Sequence, residues 1–213
     1  MVKAMKLFAF LAFSALVATQ PAAAASTPEL ASLEQQLAAL VRAKPTELGI
    51  AAFDLRSNSS VCINCEEAFP MASTVKIAVA PAYLSQVDFG RRSLDDRIRG
   101  RRATDLIEAM LIHSDNIATD HLIRNLGGPD EIDGWLRFHG LSGIRVDRTI
   151  AQLLTAKRDL WDVRDSSTPV AMIELLKKLE TGNVLKPTSH AYLLNLMGRC
   201  VTGKNRIRGL LPT

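Results

Sequence analysis

Residues 69–76 read Phe-Pro-Met-Ala-Ser-Thr-Val-Lys and residues 114–116 read Ser-Asp-Asn; the fold turns on these two stretches. The first runs into an apolar segment, which predicts a helix over 74–84 with Ser73 at its head. Backbone N–H groups at such an end are unsatisfied and the local potential is positive. Lys76 lies one turn along on the same face, because residues three apart on a helix are neighbours. A lysine held there and partly desolvated has its pKa lowered toward the range where it accepts a serine proton. Ser114-Asp115-Asn116 falls between helices predicted over 103–112 and 117–126, so a short polar turn projects one hydroxyl and one amide toward a neighbouring site. Taken singly, the first motif is a capped helix with an exposed lysine and the second an Asx-type turn; their order and combination carry the weight.

Working outward, residues 129–138, 169–179 and 189–197 also have helical patterns. Gly127-Gly128 and Gly140 stop two helices, Thr168-Pro169 starts another, and Asp105 beside Thr104 is expected to cap the helix there. Upstream, Leu30, Leu33, Leu37, Leu40 and Val41 recur at helical spacing, with Thr27 as N-cap and Pro28 in the first turn. Residues 49–55 and 60–63, joined by an Arg56-Ser57-Asn58 turn, predict a β-hairpin. Residues 141–167 show no clear periodicity, and loops of that length in compact domains are usually functional or mobile.

The first 25 residues have the anatomy of a secretory signal: Lys3 and Lys6, an apolar run over 7–17, then small residues to Ala25. That run is short of the ~20 residues a membrane-spanning helix needs, so no stable membrane anchor is expected after cleavage. Cleavage leaves 188 residues with a net charge of +2, against +4 for the whole chain, which gives no reason to expect a nucleic-acid partner. Arg91-Arg92 and the arginines of 97–102 form a basic segment, yet Asp95 and Asp96 interrupt it and no aromatic side chains are interleaved for base stacking. It reads as a solvated loop. Cys62, Cys65 and Cys200 allow at most one internal disulfide, with three possible pairings. A single C-x-x-C is a poor zinc site, so neither a metal nor a cofactor is expected.

S-x-x-K at the head of a helix followed by S-D-N in an interhelical turn resembles the class A β-lactamase and penicillin-binding family. Phe-Pro-Met-Ala before Ser73, Asp120-His121-Leu122-Ile123 to Gly127-Gly128-Pro129, and Arg164-Asp165-Ser166-Ser167-Thr168-Pro169 extend the similarity over most of the chain. The resemblance implies a two-lobed α/β (α+β) serine hydrolase fold, with a helical lobe and an antiparallel sheet lobe. It implies that Ser73 attacks a β-lactam or acyl-D-Ala carbonyl, that Lys76 takes part in activating it, and that Ser114 relays a proton to the leaving nitrogen. It makes Asn116 a partner of both Lys76 and the substrate amide, and the Ser73 N–H half of an oxyanion hole. Asp147-Arg148 resembles the start of the family's Ω loop, with Arg148 pairing Asp165 to clamp its ends. An exported, periplasmic or secreted location follows.

Three departures accompany the resemblance. Where class A members carry a glutamate two residues after the Asp-Arg, this chain has Ile150, and Leu154 stands in place of the expected asparagine. An isoleucine accepts no proton. Unless Gln152, Asp159 or Asp162 supplies the base, the acyl group persists, as in a penicillin-binding D-Ala-D-Ala peptidase. The segment from Lys76 to Ser114 is shorter than usual and lacks the aromatic gate residue. No K-T-G occurs, so the sheet lobe is expected to be cut short, as in a truncated gene product; a non-catalytic fragment is the remaining alternative. His113, His121, His139 and His190 are read as structural, Trp135 and Trp161 as packing anchors, and Lys204, Arg206 and Arg208 as solvated.

Overall fold

Residues 78–85 of helix α2 (Lys76–Asp88) are all buried, so the helix has no broad polar face to turn to water. A helix apolar all round belongs inside. In the computed structural model, which describes residues 28–156, 162–203 and 205, helices α3 (Ala103–His113), α4 (Asn116–Leu126), α5 (Pro129–Phe138) and α8 (Pro187–Gly198) pack around it. Their inward residues, among them Leu106, Met110, Leu122, Ile132, Leu136 and Leu193, form one continuous core with Val79, Tyr83 and Leu84. The signal region and Thr27 lie outside the described residues, as do Asp159, Trp161, Lys204, Arg206 and Arg208.

Helices at Pro28–Arg42 and Pro169–Glu180 and the first two strands form the smaller, sheet-bearing part, while the short helix Ile150–Thr155 and the strand pair Arg97–Ile98 and Arg101–Arg102 pack on the helical part. Strands β1 (Ile50–Asp54) and β2 (Ser59–Ile63) pair antiparallel, with Ile50 opposite Ile63 and Asp54 opposite Ser59. Helix α7 (Pro169–Glu180) lies against β1, and α1 (Pro28–Arg42) against β2. The amphipathic pattern of α1 is real, but no residue of α1 is buried and Leu33 and Leu40 stay exposed. Its apolar stripe faces the two-stranded hairpin. Two further antiparallel pairs are shorter: β3 (Phe69–Pro70) with β6 (Ser166–Ser167), and β4 (Arg97–Ile98) with β5 (Arg101–Arg102). The architecture is the α/β two-lobed one that the motifs imply.

Local details depart from the expected ones in places. The helical path to α2 begins earlier than residue 74, in a 3₁₀ turn over Ala72–Val75. Asp105 does not cap α3: the N-cap is Arg102, without a side-chain cap bond, and Asp105 in the first turn accepts from the Arg102 guanidinium at 2.8 Å. The carboxylate prefers that charged donor to an open N–H. The unpatterned stretch 141–167 contains a short helix, α6 (Ile150–Thr155), started by a capping box in which Thr149 and Gln152 satisfy each other's backbone N–H groups.

Of the three cysteine pairings, Cys62 and Cys65 form the disulfide, with Cα atoms 5.3 Å apart. It closes the turn after β2, where the Cys65 carbonyl accepts from Val170 N at 3.0 Å at the start of α7. A cross-link over so short a loop removes little unfolded-state freedom. Reduction with dithiothreitol is therefore expected to lower the unfolding free energy by about 2 kcal/mol in a urea titration. An unchanged midpoint would show that the bond does not constrain the hairpin.

Candidate active site

Strand β3 delivers the chain to the site and α2 carries it away. Ala72, with φ 48°, makes the sharp turn between them, and Ser73 follows in the first residues of the 3₁₀ turn. Its hydroxyl is therefore presented on the rim rather than inside. Lys76 begins α2 and is only 3% exposed. The opposite wall is the junction of α3 and α4. Ser114 ends α3 in the left-handed conformation at φ 59°, a costly one for serine. Asp115 starts α4, its carboxylate accepting from Ala118 N at 2.8 Å. Reversal of the chain over these two residues turns the side chains of Ser114 and Asn116 toward Lys76.

The Lys76 amine sits among four oxygens: Asn116 Oδ1 at 2.7 Å, Ser114 Oγ at 2.8 Å, Ser114 O at 2.9 Å and Ser73 Oγ at 3.2 Å. Ser114 Oγ also donates to Ser73 Oγ at 3.1 Å. Burial lowers the lysine pKa from its ordinary 10.5, against the opposing attraction of Asp115 and Asp120. An ammonium has three protons for these four acceptors, and Ser73 Oγ is the most distant of them. Loss of one proton leaves the amine a lone pair for Ser73 Oγ and two protons for the three nearer oxygens, of which Ser114 Oγ is itself a hydroxyl donor. Ser73, Lys76 and Ser114 open onto a cavity of about 480 Å³ whose apolar side is made by Met71, Met110 and Met197, with Cys200 beside them.

Arg148 and Asp165 meet at the base of the following loop. Asp165 Oδ1 accepts from the backbone of Asp147 and Arg148 at 2.9 and 3.0 Å, Asp165 Oδ2 accepts from Arg148 Nε, and the Asp165 carbonyl accepts from Met71 N at 3.0 Å. The loop base is thus tied to the segment that positions Ser73. Sequence reasoning missed a second tie. Buried Asp120, on α4, accepts from Ile150 N at 2.6 Å and Ala151 N at 3.0 Å and so holds the start of α6. Its only local signal was a carboxylate inside an otherwise apolar helix face.

Ile150 itself is buried. Two of the side chains considered as replacement bases are engaged elsewhere: Gln152 Oε1 accepts from Thr149 N at 2.8 Å, and Asp162 is bonded to Arg164 at 2.8 Å and lies 3.3 Å from Arg148. These guanidiniums hold the Asp162 carboxyl far below the usual range and make it a poor base. His113 points to solvent and takes no part in the cluster, while Trp135 is packed in the core. Among the described residues no three His, Cys, Asp or Glu side chains converge as a metal site would require, and no helix is long and apolar enough to cross a membrane.

Comparison with known proteins decides the family. A family model described as the β-lactamase enzyme family matches residues 32–104 and 100–213. The chain belongs to the class A β-lactamase family. β-Lactamase CTX-M-97 of Escherichia coli is 34% identical over 200 residues, which cover 85% of this chain and 68% of that protein. β-Lactamase CTX-M-8 of Citrobacter amalonaticus is 32% identical over 232 residues, covering 100% of this chain and 77% of its own. Among solved structures, a β-lactamase from Desulfarculus baarsii superposes with a TM-score of 0.80 at 30% identity, over 86% of this chain and 74% of that one. The class A β-lactamase of the last common ancestor of Gram-negative bacteria gives 0.79 at 34% identity, over 85% and 76%.

In this class A chain the buried amine has a measurable signature. Its folded pKa lies below the unfolded value, so between the two the unfolded chain binds more protons and stability rises with pH. The unfolding free energy of the protein, relative to Lys76→Met, is expected to increase as pH climbs through the window that ends near 10.5. A pH-independent difference would contradict the burial.

Proposed function

We propose that Ser73 is the nucleophile of a serine hydrolase acylated by β-lactams. The amine of Lys76 draws the Ser73 proton, which it reaches when the 3.2 Å contact reverses and the hydroxyl donates to the neutral amine. The freed oxygen attacks the lactam carbonyl, the carbonyl–nitrogen bond breaks, and Ser114 gives its proton to the departing nitrogen while Lys76 returns to Ser114 the proton taken from Ser73. Asn116 orients the amine and offers its amide nitrogen to the substrate's side chain. The Ser73 N–H, near the start of a helical turn, faces the developing oxyanion. The observation that carries this reading is the four-oxygen nest around one buried amine, two of whose oxygens are hydroxyls in mutual contact. The relatives named as β-lactamases and the export pattern of residues 1–25 agree with it and support a periplasmic or secreted setting.

One observation favours slow release of the acyl group, the behaviour of a penicillin-binding protein. Gln152 and Asp162 are both engaged elsewhere, and by the resemblance Ile150 stands where the family's glutamate would activate water.

Intact mass spectrometry after exposure to a fluorescent penicillin tests both statements. One label per chain is expected, with none on Ser73→Ala. On the native chain the label outlasts hours of incubation, and Ile150→Glu shortens its lifetime by about 10²-fold, the range for a restored general base. Labelling of Ser73→Ala would refute the nucleophile; rapid loss from the native chain would refute slow release.

A further inference from the structure

Residues 89–105 hold six arginines and three aspartates, so this short stretch carries a net +3 of the whole chain's +4. Hydrogen bonds from Ala103 N to Asp96 O and from Thr104 N to Leu94 O, both 2.9 Å, fasten its two halves together at the head of α3. Between them β4 and β5 make a hairpin whose turn, Arg99-Gly100, has φ values of 52° and 84°. Hairpin turns with two positive φ angles favour Asn-Gly or Gly-Gly, so an arginine at the first position is not what turn geometry selects. The register sets Arg97 opposite Arg102, a like-charged pair that opposes hairpin formation.

Local acids neutralise only part of this charge. Arg102 pairs with Asp105 at 2.8 Å and approaches Asp95 at 4.0 Å. Arg97 and Arg101 donate to neutral carbonyls, Gly100 O at 3.3 Å and Asp105 O at 3.2 Å. Among the described residues, Arg91, Arg97, Arg99 and Arg101 form no ion pair. Arg91 lies 5.6 Å over the ring of Phe89, which is 70% exposed. The fold thus maintains, against turn preference and charge repulsion, a set of guanidiniums without ion-pair partners among the described residues, one of which lies over the exposed ring of Phe89. The 11 residues of α3, about 16 Å of helix, separate the hairpin from Ser114.

We infer that this arginine hairpin docks the protein reversibly on a bilayer surface rich in anionic phospholipid. Guanidiniums bind phosphate oxygens bidentately, clusters of four to eight basic side chains are sufficient to hold a protein at such a surface, and Phe89 enters the headgroup layer beside them. A nucleic acid fits less well, since no aromatic rings alternate with the arginines to stack on bases. No membrane-spanning segment is required for such a contact.

Cosedimentation of the full chain with vesicles tests the inference. Binding is expected to mixed phosphatidylglycerol–phosphatidylcholine vesicles, to fall steeply with added salt, and to be absent with phosphatidylcholine alone. Combined Arg97→Gln, Arg99→Gln and Arg101→Gln substitution is expected to weaken it about 10- to 100-fold with an unchanged circular dichroism spectrum, whereas Lys44→Gln has no effect. Arg99→Gly separates docking from folding, since it suits the turn: the melting temperature holds or rises while binding falls. Equal binding to phosphatidylcholine, native-like binding by the triple variant, or tighter binding to a short DNA duplex than to the anionic vesicles at equal phosphate would overturn the proposal.

Discussion

A single buried amine organises this molecule. Lys76 stands at the point where the exposed 3₁₀ turn passes into a buried helix, so its ammonium enters the core boundary with no carboxylate in ion-pair contact among the described residues. Such a charge is tolerated only when every proton finds an oxygen. The oxygens come from the reversal between α3 and α4, which places two side chains and a carbonyl around one nitrogen at the cost of a left-handed serine. Folding and chemistry thus impose the same demand on the same atoms. An amine solvated by hydroxyls and an amide, rather than neutralised by an acid, is held ready to exchange a proton with the hydroxyl it already touches.

The surroundings extend that logic outward. Met71, two residues before Ser73, is hydrogen-bonded to Asp165, and Asp165 binds Arg148 and the backbone beside it. Asp120 fastens the following helix to α4, the helix that Asn116 opens. A displacement at the loop base therefore reaches the strand before Ser73 and the amide facing Lys76 through few links. In the proposed reaction this scaffold favours the first half, formation of the acyl bond. The second half requires a base to activate water, and the resemblance assigns that place to Ile150, which accepts no proton.

Much of this was legible from residues 69–76 and 114–116, because spacing on a helix and the chemistry of a polar turn are local properties. The ends of α4 and α7 were equally readable from Gly127 and from Thr168-Pro169, where backbone conformation and residue type are tightly coupled. Other features depend on distant partners and left little trace. Helix α6 is too short for periodicity to register, and its anchor lies thirty residues away in Asp120. Asp105 looked like a cap until its neighbour's guanidinium claimed it. The choice among three cysteine pairings needed the turn after β2, which composition does not reveal. The arginine segment was visible as charge, but its unneutralised state depends on how β4 and β5 are paired.

The central claim is that the Lys76 amine, with its lowered pKa, drives attack by Ser73. The most direct measurement is the rate of penicillin acylation as a function of pH for the native chain and for Lys76→Ala. The account predicts a native rate that rises to a plateau with a midpoint below 10.5, and a variant at least about 10³-fold slower that has lost that midpoint. The same rate and the same profile in both proteins would contradict it.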